Sequence, residues 1–183
     1  MRDELHHQFR RVAVVGTSGS GKTILAQRLA QHLGIPHVEL DALHWGPNWT
    51  PAPLDVFREC VAQALSGDAW TTDGNYSHVR DIVWNRADAV VWLDYPLPVI
   101  MGRVIWRTLS RSITGEELWG GNRERLWGAF FSRDSIIWWA LHTYRRRRRE
   151  YPVLFCRPEY AHLNVVHLHS PRATREWLAS IVQ

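Results

Sequence analysis

The sequence predicts an α/β fold in which helices flank a five-stranded parallel sheet. Strand patterns alternate with helix patterns, the first strand pattern is apolar without alternation, and a glycine-rich loop joins that strand to a helix. Continuous apolar strands are covered on both faces, as the strands of parallel sheets are. At 183 residues the chain has the length of about one domain. We therefore expect a single domain over residues 1–183.

The elements follow one another along the chain. RVAVVG, which ends at Gly16, predicts a buried strand, and after Lys22 leucines at every fourth residue predict a helix that Gly34 and the proline after it end. Pro96 and Pro171 end two of the later strand patterns. The later strand patterns are 37–41, 69–74, 87–96 and 163–171, and helix patterns cover about 54–65 and 173–182. A glycine-containing segment of about 111–128 interrupts the pattern, and we expect it to form a lid or insertion.

Composition excludes several classes of protein. Hydrophobic residues make up 45% and charged residues 22%, which is ordinary for a globular chain and argues against disorder. No apolar run approaches the roughly 18 residues that cross a bilayer, and the N-terminal segment lacks the apolar stretch of a signal peptide. Cys60 and Cys156 lie far apart, so they predict neither a disulfide framework nor a zinc site. We expect a cytoplasmic protein without a membrane partner.

One motif carries most of the functional prediction. GTSGSGKT satisfies GxxxxGK[ST] between the first strand and the first helix, which is the context that the motif requires. Backbone amides and the helix N-terminus are expected to form an anion cradle there, in which Lys22 can reach β and γ phosphates and Thr23 can ligate Mg²⁺. The alternative is a plain glycine-rich turn, but Lys22 is also the only lysine of the chain. The predicted nucleotide-binding residues are Gly16, Thr17, Ser18, Gly19, Ser20, Gly21, Lys22 and Thr23.

Three aspartates follow predicted strands. Asp41, Asp73 and Asp94 stand at or just past the carboxyl ends of their strand patterns, where open parallel sheets bind ligands. A carboxylate there can hold Mg²⁺, orient an acceptor hydroxyl or accept its proton. Aspartate is also a common turn and helix-cap residue. We favour catalytic roles for Asp41 and Asp73, the latter also as a metal ligand, whereas the DYP turn explains Asp94 adequately.

A group of arginines precedes the predicted lid. Arg103, Arg107 and Arg111 stand four residues apart and so share one helix face, and Arg123 follows the lid glycines. Such a face can neutralise charge that develops on a transferring phosphate. We predict catalytic roles for Arg107 and Arg123 and a substrate contact for Arg103. The alternative is a solvated arginine stripe.

Two further features predict less. The run 145–149 consists of five arginines, but consecutive helical residues spread around the axis, and such runs are usually solvated. His167 and His169 share one face of a strand pattern, yet no third metal ligand is evident.

Five motifs together resemble those of a known family. They are GTSGSGKT, LDALHWGPNW, DGNY, VVWLDYP and ELWGGNRERLW. The sequence resembles P-loop kinase-like proteins labelled topology modulation proteins or adenylate kinase-like ATPases, from about Val12 to Leu178. The resemblance implies the fold of nucleoside monophosphate and shikimate kinases, with strand order 2-3-1-4-5 and a mobile lid. It also implies use of ATP and Mg²⁺.

The resemblance extends to individual residues. Asp41 matches the strand 2 aspartate that faces the acceptor in small-molecule kinases. Asp73 and Gly74 resemble the Asp-Gly of nucleoside monophosphate kinases, but Asn75 and Tyr76 stand where those enzymes have proline and arginine, which argues against adenylate kinase activity. The predicted substrate-binding residues are Asp41, Trp45, Trp49, Gly74, Asn75, Tyr76 and Arg103.

The expected function is transfer of the ATP γ-phosphoryl group to an unidentified small-molecule or nucleotide acceptor. Two alternatives stay open at this point. One is a nucleotide-dependent regulatory or DNA-associated binding protein, which the arginine content permits, and the other is a simple ATPase.

Overall fold

The structure, a computed structural model, describes residues 9–115, 117–122 and 136–182. Within these residues, five parallel strands form one sheet in the order β2-β3-β1-β4-β5. The strands are β1 (Arg11–Gly16), β2 (His37–Glu39), β3 (Trp70–Asp73), β4 (Ala89–Leu93) and β5 (Asn164–Leu168). The predicted fold class and strand order are confirmed.

Helices cover both faces of this sheet. They are α1 (Lys22–Leu33), α2 (Leu40–His44), α3 (Leu54–Ala64), α4 (Arg80–Arg86), α5 (Leu97–Thr114), α6 (Ile136–Phe155) and α7 (Pro171–Val182). The helices α1, α3 and α7 match the sequence patterns closely. The patterns do not predict α4, because its 7 residues are too few to show a periodic apolar face.

The apolar character of β1 reflects burial on both sides. Val12 and Val14 face a core that includes residues of α1, α5 and α7, whereas Ala13 and Val15 face a second core with residues of α3, α4 and α6. Burying a valine side chain completely stabilises the fold by about 1.5–3 kcal/mol. The central strand thus fixes the position of the loop that follows it.

The predicted lid falls only partly within the described residues. α5 continues to Thr114, so the first part of the segment 111–128 is helical. Residues 117–122 include a short 3₁₀ turn, Trp119–Gly121. Arg123 and the rest of the predicted lid lie outside the described residues. Among the helices that the structure describes, none has the length and apolar character that crossing a membrane requires.

Candidate active site

The loop between β1 and α1 contains two glycines at which any side chain would clash with neighbouring residues. Gly19 has φ of +84°, and a Cβ there would lie 2.5 Å from Cγ2 of Val104. At Gly16, with φ of +151°, a Cβ would lie 2.6 Å from the carbonyl oxygen of Leu93. The loop turns tightly, since the amide of Ser20 donates to the carbonyl of Thr17 at 3.0 Å. The loop leads directly into the N-terminus of α1. Unpaired backbone amides at a helix N-terminus attract anions.

Lys22 lies at that N-terminus and lines the cleft. Its Nζ donates to the carbonyl oxygen of Thr17 at 3.5 Å. Burial, together with the positive charge of Arg147, lowers the pKa of Lys22 to about 8, and the carboxylate of Asp73 opposes this shift. Nearby anionic phosphate would favour the charged ammonium form.

Thr23 and Asp73, the predicted metal ligands, lie in direct contact. The Thr23 hydroxyl donates to one oxygen of Asp73 at 2.6 Å, and the other oxygen accepts from Nε2 of His37 at 2.9 Å. Asp73 is buried at the carboxyl end of β3. A hydroxyl and a carboxylate are the hard oxygen donors that Mg²⁺ prefers, so these residues fit the ion. Sequence reasoning missed His37, because no local signal connects β2 with a residue 36 positions away.

Two more carboxylates line the cleft beside Asp73. Asp41 accepts a hydrogen bond from the Tyr76 hydroxyl at 2.6 Å. Burial and the negative charge of Asp41 raise the pKa of Tyr76, so this hydroxyl stays a donor. Burial raises the pKa of Glu39, the negative charges of Asp73 and Asp41 add to the shift, and the neighbouring Trp119 side chain opposes it. Sequence reasoning missed Glu39, although its place at the end of the strand pattern was a usable signal.

Asn75 holds the start of the phosphate loop. Its Nδ2 donates to the carbonyl oxygen of Gly16 at 2.8 Å, and its Oδ1 accepts from the Gly16 amide at 3.0 Å. The Tyr151 hydroxyl donates to the same Oδ1 at 2.9 Å. Gly74, Asn75 and Tyr76 line a separate small pocket and are not among the residues that line the cleft. The structure therefore does not bring these three predicted substrate-binding residues to the cleft surface.

The tryptophans form a short aromatic row behind the cleft. Trp45 and Trp49 pack edge to face with ring centroids 5.8 Å apart, and Trp49 and Trp119 do so at 6.5 Å. Trp119 lines the cleft, whereas Trp45 and Trp49 do not. Of the three rings, Trp119 is thus the one placed to contact a ligand, and the predicted residues Trp45 and Trp49 support it.

Asn122 fastens the 117–122 segment to the loop that carries these tryptophans. Its Nδ2 donates to the carbonyl oxygens of Gly46 at 2.9 Å and Trp119 at 2.6 Å. Its Oδ1 accepts from the Trp49 amide at 2.9 Å. We call Asn122 with Trp45, Trp49 and Trp119 the aromatic clasp. The clasp joins two segments that are far apart in sequence at one wall of the cleft.

The arginines of α5 face the same cleft. Arg103 donates from Nη1 to the carbonyl oxygen of Ser20 at 2.8 Å and lies over the ring of Tyr95, with Cζ 5.3 Å from its centroid. Arg107 donates from Nη2 to the hydroxyl of Ser18 at 3.4 Å. Arg111 also lines the cleft. The shared face predicted from the four-residue spacing thus lies along the phosphate loop.

Four arginines of the run 145–149 are exposed, as predicted, and only Arg147 departs from that prediction. Arg147 is 6% exposed and donates to the carbonyl oxygen of Gly16 at 3.3 Å. Arg148 pairs with Asp94 at 2.8 Å. Burial lowers the pKa of Arg147. Arg147 lies on the same buried face of α6 as Tyr144 and Tyr151. The spacing of three and four residues between them is a helical signal, but the four neighbouring arginines obscure it.

The cleft itself has a volume of about 700 Å³. Its walls come from the phosphate loop, from the carboxyl ends of β2 and β3, from α5, and from Trp119 and the start of α7. Ligand sites of about 300–1,000 Å³ are typical of proteins that bind small molecules.

Comparison with solved structures shows which fold the chain shares. A shikimate kinase from Acinetobacter baumannii, in complex with shikimate, matches with a TM-score of 0.58 and 16% identity, over 100% of this chain and 96% of its own. A shikimate kinase from Bacteroides thetaiotaomicron matches with 0.55 and 14%, over 94% and 96%. A gluconokinase from Sinorhizobium meliloti 1021 matches with 0.51 and 21%, over 94% and 91%. The chain therefore has the P-loop fold of the shikimate kinase type.

No family model and no curated protein sequence matches the chain significantly.

Proposed function

We propose that this protein is a phosphotransferase that moves the γ-phosphoryl group of ATP to a hydroxyl of a small-molecule or nucleotide acceptor. One observation carries the proposal: the phosphate loop with Lys22 opens into the same cleft as the carboxylates of Glu39, Asp41 and Asp73. A cationic anion cradle beside hydroxyl-binding carboxylates suits a donor phosphate and an acceptor alcohol together.

The donor side of the cleft supplies positive charge. The loop amides and Lys22 would bind the β and γ phosphates, and Arg107, which reaches the loop at Ser18, would neutralise charge on the transferring group. Arg103 donates to the carbonyl oxygen of Ser20 and lines the cleft, so it would lie beside the same phosphates. Thr23 and Asp73 would hold Mg²⁺, which would supply neutralising charge to the phosphates. Phosphoryl transfer needs little more than such positioning and charge.

The acceptor side supplies carboxylates and one aromatic ring. Asp41 is fixed by the Tyr76 hydroxyl through one oxygen, which leaves the other to orient the acceptor hydroxyl and take its proton. Glu39 and Trp119 form the adjoining wall, so we assign them acceptor contacts. Arg123 stays a predicted catalytic residue outside the described part of the chain.

The structural neighbours support the coarse assignment. Two of them are shikimate kinases and one is a gluconokinase, so this fold carries small-molecule kinases. At 14–21% identity, the acceptor of this chain is proposed from its own residues alone. Membership of the topology modulation protein family likewise stays a prediction.

A labelled-phosphate experiment tests the proposal. Purified protein is incubated with Mg²⁺, ATP labelled at the γ position, and separate pools of nucleoside monophosphates, sugars, hydroxy acids and alcohols. We expect one pool to yield a labelled organic phosphate, and Lys22→Ala to abolish that product. Arg28→Ala, which removes a cleft-lining cation from the middle of α1, serves as the matched charge control.

Other outcomes contradict the proposal. If inorganic phosphate is released at the same rate in every pool and no pool yields a labelled acceptor, the protein is a simple ATPase. Absence of any turnover, together with DNA binding that weakens steeply with salt, would favour the nucleic-acid-associated alternative.

A further inference from the structure

Asp94, His167 and His169 lie together at the carboxyl ends of β4 and β5. The sheet register pairs Trp92 with His167, and the amide of Asp94 donates to the carbonyl oxygen of Leu168 at 2.9 Å. Backbone pairing between two strands therefore sets the positions of the three side chains. None of the three lines the nucleotide cleft.

The donor atoms have the spacing of a metal site. Oδ2 of Asp94 lies 3.2 Å from Nε2 of His167 and 3.9 Å from Nδ1 of His169. One ligand atom from each residue lies within 4.8 Å of the others. Zinc binds nitrogen and oxygen at about 2.0–2.2 Å, which places tetrahedral ligand atoms about 3.4 Å apart. Small side-chain rotations would bring all three atoms to that separation.

Neighbouring residues already orient two of these ligands. The ring of His167 stacks on Trp92, with centroids 3.8 Å apart and an interplanar angle of 6°. Nε of Arg148 lies 2.8 Å from Oδ1 of Asp94 and 3.1 Å from Oδ2. Partners of this kind fix the orientation of metal ligands.

We propose that Asp94, His167 and His169 form a site for Zn²⁺ or a similar divalent transition metal, separate from the nucleotide cleft. Two imidazoles and one carboxylate leave at least one coordination position open to solvent. The guanidinium of Arg148 opposes a second cation and competes for Oδ2, so the affinity is modest. The site would fasten β5, an edge strand of the sheet, to β4.

Metal titration tests the site. The full chain without an affinity tag is titrated with Zn²⁺ against a chromophoric chelator, and with Co²⁺ while its visible absorption is recorded. We expect one metal per chain, a d–d band of tetrahedral intensity, and at least tenfold weaker binding in His169→Ala. His169 is 65% exposed, so this substitution leaves the fold intact.

Two controls separate the site from other histidines. His32→Ala removes an exposed histidine from the last turn of α1, and the double change H6A/H7A removes the other histidine pair of the sequence. Both should bind Zn²⁺ like the unchanged chain. Absence of stoichiometric binding, or equal affinity in His169→Ala and the unchanged chain, would overturn the proposal. Neither result bears on phosphoryl transfer, which is assayed separately.

Discussion

Asn75 and Gly16 form a pair of hydrogen bonds in which a side-chain amide engages both polar groups of one backbone residue. Nδ2 donates at 2.8 Å and Oδ1 accepts at 3.0 Å. Gly16 begins the phosphate loop, so the end of β3 fixes the start of the loop across the sheet. Arg147 adds a third bond to the same glycine from α6.

Replacing Asn75 should loosen the loop. In Asn75→Asp the side chain keeps its shape but loses the donor to Gly16, and places a negative charge beside the carbonyl oxygen. We expect the free energy of unfolding to decrease by about 1–3 kcal/mol, because a hydrogen bond is lost. We also expect ATP to bind at least tenfold more weakly. Chemical unfolding and calorimetry measure the two effects. Asn85→Asp, on the exposed side of α4, should change neither, and an equal loss in both variants would contradict this role.

The lowered pKa of Lys22 predicts a pH dependence of nucleotide binding. Below a pKa of about 8 the free protein carries the ammonium charge, and above it the charge is lost. Bound phosphate favours the ammonium, so binding above that pH must take up a proton. Affinity should therefore fall with rising pH, by up to about tenfold per unit.

Calorimetry in buffers of different ionisation enthalpy measures this proton uptake. In Lys22→Arg the guanidinium stays charged, so the affinity should become nearly independent of pH between about 7.5 and 9.5. A steep pH dependence that persists in Lys22→Arg would assign it to another group.

The contact between Thr23 and Asp73 predicts where Mg²⁺ acts. Thr23→Val keeps the shape of the side chain but removes a hard oxygen ligand. We expect the gain in ATP affinity on adding Mg²⁺ to shrink at least tenfold, while binding in EDTA stays similar. Thr50→Val, at an exposed loop position, is the matched control. An unchanged Mg²⁺ effect in Thr23→Val would place the ion elsewhere.

The aromatic clasp depends on a close backbone contact at Gly120. A Cβ there would lie 2.7 Å from the carbonyl carbon of Gly46, and φ is +66°. Gly120→Ala should therefore release residues 117–122 and speed amide hydrogen exchange at Trp49, whose N–H donates to Asn122. At Gly102, within α5, a Cβ meets open space. Gly102→Ala should leave that exchange rate unchanged. If the Trp49 amide exchanges as slowly in Gly120→Ala as in Gly102→Ala, the clasp does not depend on Gly120.

The sequence predicts the fold well because local patterns determine it. The apolar run of β1, the glycine loop and the leucine period of α1 are adjacent in the chain, so their arrangement follows from neighbouring residues. The later strands end within a few residues of the positions that the patterns indicate. The boundaries differ because apolar residues such as Ala87 are buried beside the strands without joining the sheet.

The site is predicted less completely, because its contacts join distant residues. The pattern places Asn75 after a strand, but only the fold shows that its amide meets Gly16, 59 positions away. The sequence predicts that His167 and His169 share one face of a strand. Only the pairing of β4 with β5 places Asp94 beside them. Arg147 is hidden in a run whose composition resembles a solvated helix end.

The central claim is that the backbone from Gly16 to Thr23 encloses the triphosphate of ATP. Calorimetric titration of the protein with Mg²⁺ and a non-hydrolysable ATP analogue tests it most directly, beside Lys22→Ala and Arg28→Ala. The account predicts one site per chain, binding reduced at least tenfold in Lys22→Ala, and a much smaller loss in Arg28→Ala. Equal binding by the unchanged chain and Lys22→Ala, or no saturable heat at all, would contradict it.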